Sequence, residues 1–228
     1  MTYVVSNLHG HYREFKALLQ TICFSNDKDI LYVLGDTVDI GPDAVELIND
    51  MSVRLNVYPI AGEHDYRAAR MLSGYEKMQK GQAPDPDFVT EMTEWINEGG
   101  QPTMAAYREL DDDSREGILD YLTDMPLYEE VTVNGQDYLL LHRGIYDFTP
   151  NCDLDELEPE DFFSEDLDPT VAYFEDKTVI VGHNPTTEEN GGDGRIFYGN
   201  RSILIDCGLG RGGRLGCLRL EDGKEFYV

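Results

Sequence analysis

The 228-residue chain has few basic residues for its size. It carries 18 lysines and arginines against 45 aspartates and glutamates, which gives a formal net charge of −27. A surface of this sign repels phosphate backbones and anionic lipid headgroups, so we expect neither a nucleic-acid polymer nor a membrane as a partner. The same charge favours cations, including divalent metal ions.

The sequence also lacks long apolar runs and closely spaced cysteines. No run approaches the roughly 18 residues of a membrane span, and the opening segment MTYVVSNLHG shows no basic region followed by an apolar leader. The cysteines form no CxxC motif, which favours reduced thiols over a structural zinc site; they are Cys23, Cys152, Cys207 and Cys217. We therefore expect a cytoplasmic protein, and no pattern indicates its oligomeric state.

The chain does contain an alternation of strand-like and helix-like segments. Short runs rich in Val, Ile, Leu and Tyr alternate with amphipathic segments in its first part, which predicts an α/β fold. The dipeptides Asn134-Gly135 and Asp222-Gly223 each join two such runs and predict β-hairpins. No repeat or Gly/Ser-rich linker interrupts the chain, so we interpret residues 1–228 as a single domain.

Two further segments have distinct patterns. Residues 67–126 have apolar residues at helical spacing, and we interpret them as a helical insertion packed beside the core. Residues 153–168 hold nine acidic residues and no basic one, which predicts a solvated, partly mobile loop, with a tail that binds a cation or a partner as the alternative.

Most of the histidines and two aspartates follow apolar runs at their C-terminal ends. The segments are VVSNLHG, LYVLGDTVDIG, PIAGEHD, YLLLHRG and VIVGHNP, and they carry His9, Asp36, Asp39, His64, His142 and His183. A single histidine is more often a satisfied core residue than a ligand. Imidazoles and carboxylates that follow several rigid strands are, however, suited to binding Mn, Fe or Zn. The set indicates a hydrolytic centre with two divalent metal ions.

These motifs resemble those of the calcineurin-like metallophosphoesterases, in the branch of the bacterial serine/threonine phosphoprotein phosphatases and diadenosine-tetraphosphatase-like proteins. The family pattern is GDxHG, GDxVDRG, GNHE, HAG or HGG, and GHTP. This sequence has SNLHG, GDTVDIG, GEHD, HRG and GHNP in the same order, over nearly the whole chain. The resemblance implies two mixed β-sheets packed as a sandwich and flanked by helices.

The resemblance also implies roles for individual residues. Asp36 would bridge the two metals, a metal-bound hydroxide would attack phosphorus, and His64, oriented by Asp39, would serve the leaving oxygen. The first metal would be held by Asn7, His9 and Asp36, and the second by Asp36, Glu63, His142 and His183.

Three of the departures from the family pattern bear on metal and phosphate binding. Asn7 replaces an aspartate ligand and Glu63 an asparagine ligand, so we expect an occupied second metal site and a weak or empty first one. Ile40 replaces the arginine that clamps the phosphate, and losing that charge-assisted contact removes about 1.5–3 kcal/mol. Arg143 is a candidate substitute for substrate binding, with an ordinary surface arginine as the competing interpretation.

Two functional hypotheses remain open. The first is a metal-dependent phosphoesterase of weakened activity that hydrolyses a phosphate ester or anhydride, in a phosphoprotein or a dinucleoside polyphosphate. The second is a catalytically impaired relative that binds metal or a phosphorylated ligand as a regulatory module. Asn7 and Ile40 favour the second. Asp36, Asp39 and His64 favour the first, because a decayed binding protein has little use for a proton donor and its orienting carboxylate.

Overall fold

The computed structural model describes residues 1–149, 152–188 and 192–228. Within them the chain forms ten strands: β1 (Thr2–Ser6), β2 (Ile30–Leu34), β3 (Val57–Ile60), β4 (Tyr128–Val133), β5 (Gln136–Leu141), β6 (Lys177–Val181), β7 (Phe197–Tyr198), β8 (Ser202–Leu204), β9 (Gly216–Arg219) and β10 (Lys224–Tyr227). It also forms six α-helices: α1 (Tyr12–Thr21), α2 (Ala44–Ser52), α3 (Glu63–Gln79), α4 (Pro86–Trp95), α5 (Gln101–Arg108) and α6 (Asp112–Thr123).

The strands form two five-stranded mixed sheets. The first has the order β10-β9-β1-β2-β3, in which β1, β2 and β3 are parallel and the C-terminal hairpin is antiparallel. The second has the order β4-β5-β6-β8-β7, in which β5, β6 and β8 are parallel and the two edge strands are antiparallel. The predicted hairpin turn at Asn134-Gly135 is present, with φ values of 53° and 79°, as a type I′ turn requires.

The two sheets pack face to face. Apolar residues of both sheets form one buried cluster, which includes Val4, Leu34 and Ile60 from the first sheet and Leu140, Ile180 and Ile203 from the second. Helices cover the outer faces: Phe15 and Leu18 of α1 pack under the first sheet, while α3 to α6 contribute to the cluster under the second. The predicted α/β sandwich of two mixed sheets flanked by helices is confirmed.

The region from 67 to 126 is built from four helices. The first, α3, begins at Glu63, before the predicted start of the helical region. A π-type turn over Ile96–Gly100, kinked at Gly99 with φ 125°, separates α4 from α5. None of the helices in the described part of the chain is long and apolar enough to cross a membrane.

The acidic segment 153–168 is more closely packed than predicted. It forms two short 3₁₀ turns, at Leu154–Glu156 and Pro159–Phe162. Phe162, Phe163 and Leu167 are buried against the core, so the prediction of a solvated loop was wrong for these three residues. The prediction rested on the acidic residues of the segment, most of which do face solvent, and it did not consider the three apolar side chains between them.

Candidate metal centre

The predicted site residues gather where the parallel strands of both sheets end. Asn7 and His9 follow β1, Asp36 and Asp39 follow β2, Glu63 and His64 begin α3 just after β3, His142 follows β5 and His183 follows β6. A hydrogen bond joins the end of β5 in the second sheet to the end of β2 in the first, as His142 Nδ1 lies 3.0 Å from the carbonyl oxygen of Leu34. The C-terminal edges of the two sheets therefore form one site.

The backbone of this site is locally strained. Left-handed φ values are uncommon for residues other than glycine, and they cluster at functional sites. Five of the predicted site residues have them: Asn7 (52°), His9 (44°), Asp36 (50°), Asp39 (68°) and His183 (63°). Gly35, at φ 70°, is required by space as well, because a Cβ there would lie 2.4 Å from His142 Nδ1.

One group of potential metal ligands comprises Asp36, His142 and His183. Asp36 Oδ1 lies 3.3 Å from His142 Nε2, which is 3.2 Å from His183 Nδ1. Since His142 Nδ1 faces a carbonyl oxygen it carries the proton, and the Nε2 lone pair is left for a metal. These three residues therefore have the chemistry and spacing that a divalent metal requires.

The charge states of Asp36 and His183 suit a cation. Burial lowers the pKa of His142, but nearby Asp36 outweighs burial and raises it, so an ion there would have to displace a proton from that ring. Burial, together with neighbouring His142, lowers the pKa of His183 to about 4, so its imidazole is neutral at physiological pH. Burial raises the pKa of Asp36, but the nearby imidazoles outweigh it and hold the pKa well below the usual range. An ionised carboxylate and neutral imidazoles are the forms that ligate metals.

A second group comprises His9, Asp36 and His64. His9 Nε2 lies 3.7 Å from Asp36 Oδ2, and the His9 and His64 rings are 5.1 Å apart. Burial lowers the pKa of His9 and keeps its ring neutral. The three ligand atoms lie within 4.8 Å of one another, so Asp36 belongs to both groups, as a bridging carboxylate would.

Asn7 lies beside both groups with its amide oriented away from the first metal position. Its Oδ1 accepts the backbone N–H of His183 at 3.0 Å, and its Nδ2 donates to Asp36 Oδ2 at 3.1 Å. Because a backbone N–H can only donate, the oxygen has to face it and the NH₂ group has to face Asp36. An NH₂ group is not a metal ligand, so this orientation weakens the first metal position further.

Glu63 and Arg143 lie outside both groups. The half-exposed Glu63 carboxylate is 3.5 Å from Arg143 Nη1. Arg143 also donates to Asp166 Oδ1 at 2.6 Å and to the carbonyl oxygen of Phe163 at 2.7 Å. The guanidinium is thus held by Asp166 and Phe163 of the acidic segment and by Glu63.

His64 is paired with a buried carboxylate. Its Nδ1 lies 2.8 Å from Asp39 Oδ2, and Asp39 is fully buried. Burial lowers the pKa of His64, but the hydrogen bond to Asp39 and the charge of Asp36 outweigh it and raise the pKa to about 9. Because Asp39 engages Nδ1, only Nε2 of His64 is left to donate a proton or to bind a metal.

Sequence reasoning missed three residues that support this site. Trp95 and Thr103 from the helical region contact Asp39, and Asp65 accepts backbone N–H groups from the loop after β2. Trp95 is the only tryptophan of the chain, but nothing in its local sequence links it to a loop 56 residues earlier. The signal for Asp65 was available, because an acidic residue at the third position of a helix often bonds back to the helix start.

We expect Asp65→Ala to destabilise the fold. Asp65 Oδ1 accepts the N–H groups of Thr37 and Val38 at 2.9 and 3.2 Å, and Oδ2 accepts that of Gly62 at 3.0 Å. Each buried donor left without an acceptor costs about 1–3 kcal/mol, so the free energy of unfolding should fall by about 3 kcal/mol or more. Urea denaturation at neutral pH measures it.

The matched control is Asp120→Ala, which removes an exposed aspartate from α6. It should change the free energy of unfolding by no more than about 0.5 kcal/mol. An Asp65→Ala protein as stable as this control would contradict a bracing role for Asp65.

Comparison with known proteins agrees with the geometry. The model of the calcineurin-like phosphoesterase family matches residues 2–206. A symmetrical bis(5'-nucleosyl)-tetraphosphatase of Buchnera aphidicola subsp. Schizaphis graminum (strain Sg) is 38% identical over 79 residues, 34% of this chain and 29% of the relative. That of Proteus mirabilis (strain HI4320) is 24% identical over 99% of this chain and 96% of the relative. The chain thus aligns with about a third of the length of the first relatives it matches.

Solved structures show the same fold. A crystal structure provisionally assigned as a diadenosine tetraphosphatase superposes with a TM-score of 0.64 at 19% identity, over 100% of this chain and 92% of the other. At that identity the likeness concerns the fold alone, whereas the family model spans most of the chain. The chain therefore belongs to the calcineurin-like phosphoesterase family.

Proposed function

We propose that the protein is a metal-dependent phosphoesterase that hydrolyses the phosphate anhydride of a dinucleoside polyphosphate. The observation that carries the proposal is the juxtaposition of a ligand group (Asp36, His142 and His183) with a buried proton-donor pair (His64 and Asp39). The nucleotide substrate is supported by the relatives, which are named symmetrical bis(5'-nucleosyl)-tetraphosphatases. A phosphoprotein is the alternative substrate.

We assign the stronger metal position to Asp36, His142 and His183. These residues would hold a divalent ion, Mn, Fe or Zn, which would supply Lewis acidity for the phosphoryl oxygens and for an attacking water. The weaker position consists of His9 and Asp36, because Asn7 turns its NH₂ group towards Asp36. Glu63 would have to leave Arg143 to ligate the stronger position.

His64 is assigned as the proton donor. Its Nδ1–H donates to Asp39 Oδ2, so Nε2 is the atom left to protonate the leaving oxygen. Asp39 stays buried and fixes both the tautomer and the ring orientation. This pair is what favours an enzyme over a regulatory module, since binding alone needs no oriented proton donor.

Substrate binding is expected to be weak, because several arginines that could clamp a phosphate pair with carboxylates in the described chain. Arg143 is held by Asp166 and by Phe163. Three other arginines of the described chain pair with carboxylates: Arg67 with Glu98, Arg70 with Glu91 and Arg211 with Glu188. Binding then depends on the metal and on His64.

The direct test is hydrolysis of bis(5'-adenosyl) tetraphosphate by protein stripped with a chelator and then reloaded with Mn²⁺. We expect turnover to disappear on stripping and to return on reloading, with the products identified by phosphorus NMR. A phosphopeptide assayed in parallel decides between the two substrate classes. Binding of the dinucleotide without any Mn²⁺-dependent hydrolysis would leave the regulatory module as the better description.

Ile40→Arg should improve substrate binding. The Ile40 side chain is 40% exposed, so a longer side chain has room there. A restored arginine–phosphate contact of about 1.5–3 kcal/mol should lower KM by about tenfold or more. Steady-state kinetics with the Mn²⁺-loaded protein measures this.

Ile40→Met is the control for the arginine variant, because it removes the β-branch at a left-handed position without adding charge. Its KM should stay close to that of the wild type. Equal effects of methionine and arginine would show that charge at this position does not bind the substrate.

A further inference from the structure

The helical region is attached to the loop after β2 by hydrogen bonds that the sequence motifs do not include. The fully buried Asp39 carboxylate accepts three bonds. Thr103 Oγ1 donates to Oδ1 at 2.7 Å, while Trp95 Nε1 and His64 Nδ1 each donate to Oδ2 at 2.8 Å. The backbone N–H of Asp39 donates in return to Thr103 Oγ1 at 3.0 Å. Thr103 therefore contacts both the main chain and the side chain of Asp39.

A further hydrogen bond from the helical region holds the neighbouring residue. Asp39 and Ile40 have left-handed φ values of 68° and 65°, the second of which is unusual for a β-branched residue. The N–H of Ile40 donates at 2.8 Å to the carbonyl oxygen of Gly99, in the π-type turn between α4 and α5. Strained backbone persists where its surroundings hold it, and π-type turns are frequent at functional sites.

We propose that Trp95 and Thr103 are positioning residues that act through Asp39 to orient the His64 ring towards the leaving group. This inference rests on the proposed function of His64 as proton donor. His64 alone does not fix the carboxylate plane of Asp39. A donor on each oxygen from the helices fixes that plane, and with it the direction in which His64 Nε2 points.

The chemistry of the two side chains fits this role. Trp95 is 1% exposed and Thr103 2% exposed, so both polar groups are removed from water and need a partner. Each finds that partner in Asp39. Phenylalanine and valine would fill much of the same space without donating, which makes them suitable test substitutions.

The test uses three variants and a control in the same helices. Thr103→Val and Trp95→Phe each remove one donor to Asp39, and Thr103→Ser keeps the hydroxyl. The control is Tyr107→Phe, which removes a buried hydroxyl of α5 that bonds to Glu76 at 3.2 Å and does not contact Asp39. All are assayed as Mn²⁺-loaded protein on two aryl phosphates, one with a weakly acidic leaving phenol and one with a strongly acidic one.

A weakly acidic phenol needs a proton donor to leave, and a strongly acidic one does not. Thr103→Val and Trp95→Phe should therefore lower kcat by about 10-fold to 100-fold on the first substrate, with KM within about twofold. On the second substrate kcat should change by less than about threefold. Thr103→Ser and Tyr107→Phe should stay near the wild type on both. Equal losses on the two substrates, or a Thr103→Ser protein as slow as Thr103→Val, would reduce both residues to a structural role.

A spectroscopic measurement separates this inference from the proposed function. The Nδ1–H proton of His64 should give a downfield NMR resonance in the wild type, Thr103→Ser and Tyr107→Phe. It should shift upfield or broaden in Thr103→Val and Trp95→Phe, because the Asp39 carboxylate is no longer held. An unchanged resonance in those two variants overturns the positioning role, whatever the turnover. A wild type that hydrolyses nothing overturns the proposed function, and the same resonance still decides the positioning.

Discussion

Replacing Asp36 by asparagine is expected to abolish metal binding and hydrolysis together. Asp36 is the residue shared by the two ligand groups, and it is the only carboxylate in either of them. With asparagine at this position, only uncharged ligands would surround a divalent ion. Removing a residue that only hydrogen-bonds to a metal ligand lowers metal affinity or activity by about 10-fold to 100-fold. Asp36 is a ligand itself, so its replacement should cause a larger loss of both. Metal analysis of the Mn²⁺-loaded, desalted protein measures the first effect, and turnover measures the second.

The control for this prediction is Asp206→Asn. Asp206 follows β8 and is a buried aspartate, but it lies outside both ligand groups and accepts a bond from the N–H of Gly208 at 2.8 Å. An asparagine oxygen can accept the same bond. The metal content of this variant should match the wild type. An Asp36→Asn protein that retains manganese to the same extent would refute the shared-ligand assignment.

Replacing His64 by alanine is expected to lower kcat by about 10²-fold to 10⁴-fold, the range that a positioned general acid contributes. The loss of kcat should be large for a substrate whose leaving group is weakly acidic, because such a group needs a proton donor to leave. Metal content should not change, because Nδ1 of His64 donates to Asp39 and the ring is assigned as a proton donor and not as a ligand. Steady-state kinetics together with metal analysis tests both halves of this prediction.

The combination of measurements also distinguishes a proton donor from a ligand. His64 lies within ligand distance of His9 and Asp36, so a His64→Ala protein that loses a metal ion would show that His64 completes the weaker metal position. His11→Ala is the control, since His11 lies one residue ahead of α1 and contacts the carbonyl oxygen of Leu8. Its kcat and metal content should stay at the wild-type level.

The sequence predicts much of this arrangement because strand ends are easy to recognise. An apolar run that stops at a glycine or a polar residue marks the end of a buried strand, and parallel strands of one sheet end at the same edge. This rule places His142 and His183 together, because they follow neighbouring parallel strands although 41 residues separate them. Asp36 follows a strand of the other sheet, and its place in the group came from the resemblance to the family. The hairpin turns were equally local signals.

The orientations of side chains could not be predicted in the same way. Glu63 follows a strand like the others, but it is the first residue of α3, and its carboxylate faces Arg143. Arg143 in turn is held by Asp166, whose position depends on the packing of the acidic segment. Trp95 and Thr103 reach Asp39 across 56 and 64 residues. Such contacts follow from how the helices pack on the sheets, which no local pattern encodes.

The orientation of Asn7 has a consequence for the stability of the metal-free protein. Its amide joins the first sheet to the second, through Asp36 on one side and the N–H of His183 on the other. An aspartate here would set two buried carboxylates about one hydrogen bond apart, and the fold would need a cation between them. With asparagine, this pair of carboxylates does not arise, because the NH₂ group of Asn7 donates to Asp36. We expect the metal-free protein to stay folded, and to bind the metal ion again without refolding.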